Sequence, residues 1–515
     1  MKKAILFSLC LFMIVSAFSQ KSVTAKWGAT YKTAGRLSEV IGEDKDGFYT
    51  LRVKGSRFGS SDMWIQRYDN QMNLKFSEEL LIPKKGKKKL LYEGIYILQG
   101  QLILMTSLTD KEIGKSFAFA YPISAKGIVG SKFKKLDEIA MDGRKSGSFG
   151  FQISQDSSKF LVYHNKPYDK YNNEKFSYKV YDNSLNLVWE KEVQLPYRDK
   201  YFSIEDYIID NTGDVYMRAT IFPDKTKGEK KIKGEQAAKF VIVSYQHKTD
   251  QLTQFEVQLT GKWVESISYE INEATKEVVV GGFYSDDKKL KINGIFYLTM
   301  DLADGTVKTI SKKAFDDSFM TEMIGEKKAA KGKGLSSFFF DHFFVKKDGG
   351  AYLIAEQYYV TTSTYTDSNG NTHTRTVYHY NDIIVVSVDK AGNIDWVRNV
   401  PKNSAAGSGY YLSYGLNFNE TTNELNLFFN DNPKNIALLK ESPNKVRKLG
   451  NLKKSVAILV AINEEGNISR SPLFTAKDLD KVILAPTKSS MINDTDVITY
   501  AVKGKSYKFG KFTFK

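Results

Sequence analysis

Few residues in this chain have the type and spacing to do chemistry. Asp341-His342 stands among Phe338, Phe339, Phe340, Phe343 and Phe344, an acid and an imidazole inside an apolar run. Its plainer reading is a hydrogen-bonded pair on an innermost strand; its functional reading is an acid/base pair lining a pore, since buried titratable pairs are where protonation is tuned. Asp286-Asp287 and Asp316-Asp317 are acid pairs. Glycosidic chemistry would need either of them opposite another carboxylate, and adjacent acids ordinarily cap or solvate a loop. His373 and His379 are six apart on one strand face, with no clear third ligand for zinc. Asp367, Asn369 and Asn371 are spaced like a calcium loop without its later acidic residue, and Asp44 and Asp46 before Gly47 are no closer, so both read as turns. There is no Gly-x-Ser-x-Gly elbow, phosphate-binding loop, His-Glu-x-x-His or Ser-x-Asp-x-Gly-x-Thr-Trp box. The sequence assigns no catalytic residue, no metal and no cofactor.

Charge offers a different chemistry, the holding of anions. Segments 84–89, 223–239, 326–333 and 440–454 together contain 21 Lys/Arg against 5 Asp/Glu, an excess equal to the net +16 of the whole chain. Candidate binding residues are Lys84, Lys85, Lys87, Lys230, Lys231, Lys327, Lys328, Arg447 and Lys448. The bland reading is that such loops only keep the protein soluble. A long Thr- and Tyr-rich hairpin around Asn369-Gly370, within 358–386, adds Tyr365 and Tyr378 as aromatic contacts.

The N-terminus says where these residues work. Lys2 and Lys3 precede an apolar run from Ala4 to Val15, and Ala17-Phe18-Ser19 supplies small residues before a cut ahead of Gln20. This is the pattern of a signal peptide over 1–19, too short for a membrane span. The expectation is export to the periplasm, the outer-membrane surface or the medium. The sole cysteine, Cys10, lies inside that run, so the mature chain would carry no thiol and no disulfide. Nucleic acid is a poor partner for an exported chain without a nucleic-acid module; an anionic glycan or an acidic envelope protein fits better.

The elements that must position these residues are written as a repeat. An apolar residue, an Asp, a short turn and Asn-Leu or Asn-Ile recur at Asp69/Asn73-Leu74, Asp182/Asn186-Leu187 and Asp389/Asn393-Ile394, with weaker copies at Asp301 and at Asn463/Asn467-Ile468. Before each comes an apolar strand, a polar turn and another apolar strand, with turns at Asp46-Gly47, Gln99-Gly100, Asp156-Ser157, Thr212-Gly213, Ala274-Thr275, Asp348-Gly349, Thr421-Thr422 and Asn493-Asp494. Repeats of this size, built from short strands, are propeller blades. The reading is an all-β propeller of eight four-stranded blades, with seven the alternative, forming one domain over 20–515. The last blade lacks an outer strand, and the segment around Trp27 has the form of the missing piece, so the N-terminus is expected to close the ring. Loop parity then sends the insertions 84–89, 164–177, 223–239, 285–291, 316–337, 359–386 and 432–454 to one face and leaves the other plain.

The Asp, short turn, Asn-Leu and Trp pattern, with Trp189 and Trp396 as blade tryptophans, resembles the outer strands of quinoprotein-like β-propeller repeats. That group includes dehydrogenases and non-enzymatic envelope scaffolds of eight blades. The resemblance implies the fold; the cofactor-binding features of the enzymes, including a cysteine pair in many, are absent from the sequence. Three functions are therefore expected: a binding or scaffold protein using its decorated face, a carbohydrate-active enzyme with a site in the central funnel, or a purely structural envelope component.

Overall fold

The computed structural model describes residues 23–514 apart from 34, 56–60, 224–237, 290, 303, 443 and 444. The apolar N-terminal run, Lys230 and Lys231 lie outside the described residues.

The repeated Asp and Asn turn out to be the two ends of one tight turn. Asp182 Oδ1 accepts from the Ser184 and Asn186 amides at 2.9 and 2.7 Å, and Oδ2 accepts from Asn186 Nδ2 at 3.0 Å. Asp69 and Asp389 repeat these bonds with Asn73 and Asn393. The residue before each Asn is left-handed, with φ of 64° at Met72, 63° at Leu185 and 81° at Gly392. The side chain thus satisfies amides that the turn strips from the ladder, and the following strand starts in register after a one-residue shift.

Each such turn joins the two outer strands of an antiparallel sheet. Blade 1, for example, runs Arg36–Asp44, Gly47–Gly55, Ser61–Asp69 and Leu74–Glu79 in spatial order. Among the described residues eight sheets have four or more strands, spanning 36–79, 91–140, 148–198, 202–256, 263–314, 338–406, 415–475 and 483–513. No sheet has a core of its own. Apolar clusters lie between successive sheets: Leu51 and Ile65 of the first meet Leu104 and Phe119 of the second, and so on around to Phe512 of the eighth against Phe428 of the seventh. A last cluster joins Tyr500 and Tyr507 of the eighth sheet to Phe48 and Tyr68 of the first. Each fully buried side chain contributes roughly 1.5–3 kcal/mol only while its neighbour is in place, so the blades stabilise one another.

Closure falls where the sequence places it. Thr24–Trp27 pairs antiparallel with Ser506–Thr513, from Thr24 opposite Thr513 to Trp27 opposite Gly510, and Tyr31–Lys32 extends the pairing. The Trp27 ring meets Phe474 edge-on at 5.2 Å and Phe512 at 6.0 Å. A Cβ on Gly510 would sit 2.7 Å from that ring, so only glycine fits beside it.

The strand order also divides the loops. Short turns inside the inner and outer strand pairs open at one end of the barrel, and loops between pairs and between blades open at the other. The long insertions follow this rule with one exception. Residues 124–133, between Lys115–Ile123 and Lys134–Ala140, bulge at the plain end. At the decorated end the two middle strands of blade 6 run on as a finger, Ala351–Thr366 pairing with Thr372–Val388. Its tip, Asp367 to Asn371, is the same Asp and Asn turn found in the blades. No helix among the described residues is long and apolar enough to cross a membrane.

Candidate functional site

Five lysines converge at the decorated end between blades 5 and 6. Lys289 and Lys291 follow the strand Glu277–Ser285. Lys328, Lys331 and Lys333 come from helix α2 (Glu326–Ala329) and the turn after it. Gly325, at φ 80°, separates α2 from α1 (Asp317–Ile324), and Gly332, at φ 62°, turns the chain back so that the Lys333 amide bonds to Lys328 O. A two-way bridge between Ile292 and Leu335, with N–O distances of 3.0 and 2.8 Å, then pins the two lysine segments side by side. Both bridge residues are buried. The result is a cavity of about 710 Å³ with a lysine rim and a floor that includes Leu335, Phe338, Gln357 and Asp382.

The acids in this cavity are already engaged. Asp286 pairs with Lys262 at 2.5 Å, and Asp287 accepts from the Lys289 amide at 2.8 Å. Asp382 accepts from the Lys402 amide at 2.9 Å, and burial, opposed by that bond, pushes its carboxyl up to about 6. None of the five lysines has a carboxylate within ion-pair distance among the described residues, and all five are exposed. Like charges gathered over a low-dielectric floor raise the local concentration of anions.

Behind the floor lies a buried ionic network. Lys402 Nζ donates to Glu356 Oε1 at 2.8 Å and to Tyr380 O at 3.0 Å, and Ser413 Oγ donates to Glu356 Oε2. The Lys402 and Glu356 side chains are 0% and 3% exposed, so each charge depends on the other. Asp341 stands beyond this pair on the wall of a second cavity, of about 610 Å³, between the innermost strands of blades 6, 7 and 8. A one-residue shift at Phe340/His342 turns both Asp341 and His342 toward it. They are not partners: Tyr414 OH donates to Asp341 at 3.2 Å, while His342 stacks on Phe344 at 5.7 Å. Loss of bulk water, then the Glu356 charge, pushes Asp341 up to about 7, and burial holds His342 down at about 4.

The candidates read from the sequence do not form one site. Lys327 and Lys328 are on α2, and Lys328 lines the lysine cavity. Lys84, Lys85 and Lys87 lie in or beside a two-stranded hairpin between blades 1 and 2, four sheets further round. Lys85 is exposed, and its ammonium lies over Phe119 at 4.7 Å and Phe117 at 5.2 Å, with Phe133 of the plain-end bulge adding a third ring. Arg447 and Lys448 belong to blade 7, held by Asn435 and Asn432, and Lys448 faces His379 at the base of the finger. Tyr365 and Tyr378 occupy opposite faces of the finger, because Tyr365 pairs with His373 and Tyr378 with Val360 in a ladder whose side chains alternate. They cannot grip one ligand together. His373 bonds to Asp367 at 2.7 Å and His379 to the Thr361 hydroxyl at 2.9 Å. Asp316 caps α1.

No family model and no curated protein matches the sequence. Solved structures are similar to it at low TM-scores. The β-propeller domain of the Trilobed protease from Pyrococcus furiosus is 9% identical with a TM-score of 0.34, covering 72% of this chain and 96% of that one. An α-L-arabinanase from Penicillium chrysogenum, in complex with arabinobiose, is 9% identical with a TM-score of 0.29, covering 72% and 98%. Pyrococcus horikoshii acylaminoacyl peptidase is 10% identical with a TM-score of 0.37, covering 91% of this chain but 58% of that one, so the chain spans little more than half of that enzyme's length. At such identities and TM-scores the likeness carries no argument, and the assignment rests on the sheet order itself. The protein is a β-propeller.

Proposed function

We propose that this protein is an exported binding and scaffold propeller that holds an anionic glycan on its decorated end. The observation that carries the proposal is the concave cavity ringed by Lys289, Lys291, Lys328, Lys331 and Lys333, none of them within ion-pair distance of a carboxylate among the described residues, although Asp286 and Asp287 share its lining. A recess of about 710 Å³ suits an acidic sugar unit better than the broad flat contact of a protein interface. Export is supported by the Lys2-Lys3 and Ala4 to Val15 pattern. An acidic envelope protein is the second partner, favoured by the exposed Tyr359, Val360 and Tyr365 of the finger. A glycosidase in the funnel would need two opposed carboxylates. Near the pore cavity Asp341 is open, but Glu356 is locked to Lys402 and Ser413.

The test is retention on a sulfated polysaccharide matrix. Reversing Lys328, Lys331 and Lys333 to Glu should lower the eluting salt far more than reversing Lys45, Lys248 and Lys390, three exposed lysines of plain-end turns. Exposed charges act within about a Debye length, roughly 8 Å at physiological salt. Equal losses from the two sets, or retention indifferent to salt, would overturn the reading.

A further inference from the structure

The finger presents an open sheet edge. At its base the innermost strand of blade 6, Phe338–Val345, pairs with Ala351–Thr366 only as far as Gln357, and the Tyr358 amide then donates to Ser337 O at 2.8 Å. Ser337, at φ 63°, is where the chain arriving from α2 turns into this ladder. Beyond it no strand among the described residues pairs with that side of 359–366, and every residue of the run is exposed. Since the Tyr358 amide points to the open side and the ladder alternates, the free amides and carbonyls belong to Val360, Thr362, Thr364 and Thr366. Edges are ordinarily guarded by charge, proline or a bulge. The outer blade strands have such guards, with Lys75, Glu78 and Glu79 on Leu74–Glu79 and Lys308, Lys312 and Lys313 on Val307–Ala314. The finger's other edge has Arg375, and Ser404–Ala406 covers it at Tyr378–Tyr380. From Tyr359 to Thr366 there is no charge, no proline and no shift of register.

This edge is complementary to itself about Thr362. Set antiparallel beside a second copy, it brings Thr362 opposite Thr362, Val360 opposite Thr364 and Tyr359 opposite Tyr365, and the free backbone groups of one copy face those of the other. Side chains then fall into rows across four strands. Tyr359 already stacks on His379 at 4.4 Å and Tyr365 on His373 at 5.4 Å, so the row becomes His379, Tyr359, then Tyr365 and His373 of the second copy. On the opposite face Thr376 and Thr362 meet Thr362 and Thr376 of the second copy. Aromatic and threonine pairs are among those that stabilise antiparallel sheets across strands. Centring the pairing on Thr361 or Ser363 instead would separate the tyrosines and shorten the ladder. We propose that two copies of this chain dimerise finger to finger, joining their edges into one four-stranded sheet. The net +16 of each copy does not forbid it. Tyr358–Thr366 spans roughly 30 Å at about 3.3 Å per residue, which holds the two lysine-rich ends several Debye lengths of roughly 8 Å apart. The contact uses none of the cavity lysines and is independent of the anion-binding reading.

Sedimentation velocity of the purified protein, up to about 0.3 mM, tests it. The facing run 359–365 falls far short of the roughly 20–30 residues a side of a standard interface, so the dimer should dissociate at about 10–100 µM. It should tighten as salt is raised, because the like-charged rings are then screened, the reverse of retention on a polyanionic matrix. Thr362→Lys sets two ammonium groups face to face on the axis; it should weaken the dimer at least tenfold and leave the melting temperature unchanged, since the side chain is exposed. Register is read by cross-linking in a Cys10→Ser background, which has no other thiol. Thr362→Cys should give a disulfide-linked dimer under diamide, and Thr364→Cys, whose two copies lie four positions out of register, should not. A monomer at every concentration, a dimer unmoved by Thr362→Lys, or equal cross-linking at 362 and 364 would each overturn the pairing.

Discussion

Asp69 at one end of the propeller and Asp341 at the other are both aspartates on blade strands, and their surroundings drive them in opposite directions. Against the cost of partial burial, the Lys75 ammonium and the amides of Asn73 and Gln71 hold Asp69 at about 2. Asp182 and Asp389 are lowered in the same way by their turns. Asp341 and Asp382, by contrast, are pushed up to about 7 and about 6, and the buried Glu356 is raised as well. The plain end meets its acids with hydrogen-bond donors supplied by the same few residues of the turn. The decorated end buries Glu356 against Lys402 and leaves the five cavity lysines outside ion-pair distance of any carboxylate among the described residues. The Asp and Asn turns answer their own carboxylates and serve the fold; the lysines of the decorated end are left for a ligand to answer.

The sharpest way to break this contrast is at Lys402. Replacing it with Met leaves Glu356 buried and unpaired, and should cost about 3–5 kcal/mol in denaturant unfolding, most of it recovered when Glu356 is replaced by Leu in the same chain. A loss no larger than that of an exposed lysine would mean the decorated end holds no buried charge network. At the plain end Asp389→Ala should cost less, about 1–2 kcal/mol, and Asp389→Asn less again, because the amide oxygen keeps the bonds to Ala391 and Asn393. The matching change at the finger tip, Asp367→Ala, should leave global unfolding unchanged, since that turn projects beyond the ring.

The smallest effect, and the most diagnostic, is in pH. The raised Asp341 contributes stability that is fully present below the ordinary carboxylate value, near 4, and lost as pH rises through about 7. The depressed Asp69 contributes stability that is present above that value and lost as pH falls through about 2. Relative to the unaltered protein, Asp341→Asn should therefore gain in melting temperature as pH is raised from 4 to 8, and Asp69→Asn should gain as pH is lowered from 4 to 2. Slopes of the same sign for both would erase the distinction between the ends.

What was legible in the sequence was what depends on near neighbours or on parity. The Asp and Asn four apart mark the outer turn because the side chain bonds to amides of its own turn. Trp27 could be matched to Trp189 and Trp396 because a blade short of one strand advertises the gap. Loop faces follow from counting strands. The lysine cavity was only half visible, since 326–333 stood out by charge, while Lys289 and Lys291 join it through one bridge, Ile292 to Leu335, that no local pattern announces. Glu356 and Lys402 meet through sheet geometry across 46 positions. The rings beside Lys85 were not legible, because Phe133 belongs to the bulge at 124–133 that breaks the plain face.

Pairing Thr24–Trp27 with the strand that ends at Thr513 also makes the fold a test of its own completeness. Thr24–Trp27 has no ladder to join until Ser506–Thr513 has been made, so its backbone groups stay unclaimed while every strand between the two is synthesised. A product cut short anywhere before Ser506 offers that strand no partner and presents an open sheet edge to whatever inspects newly made proteins. Only a chain with both ends intact can hide it.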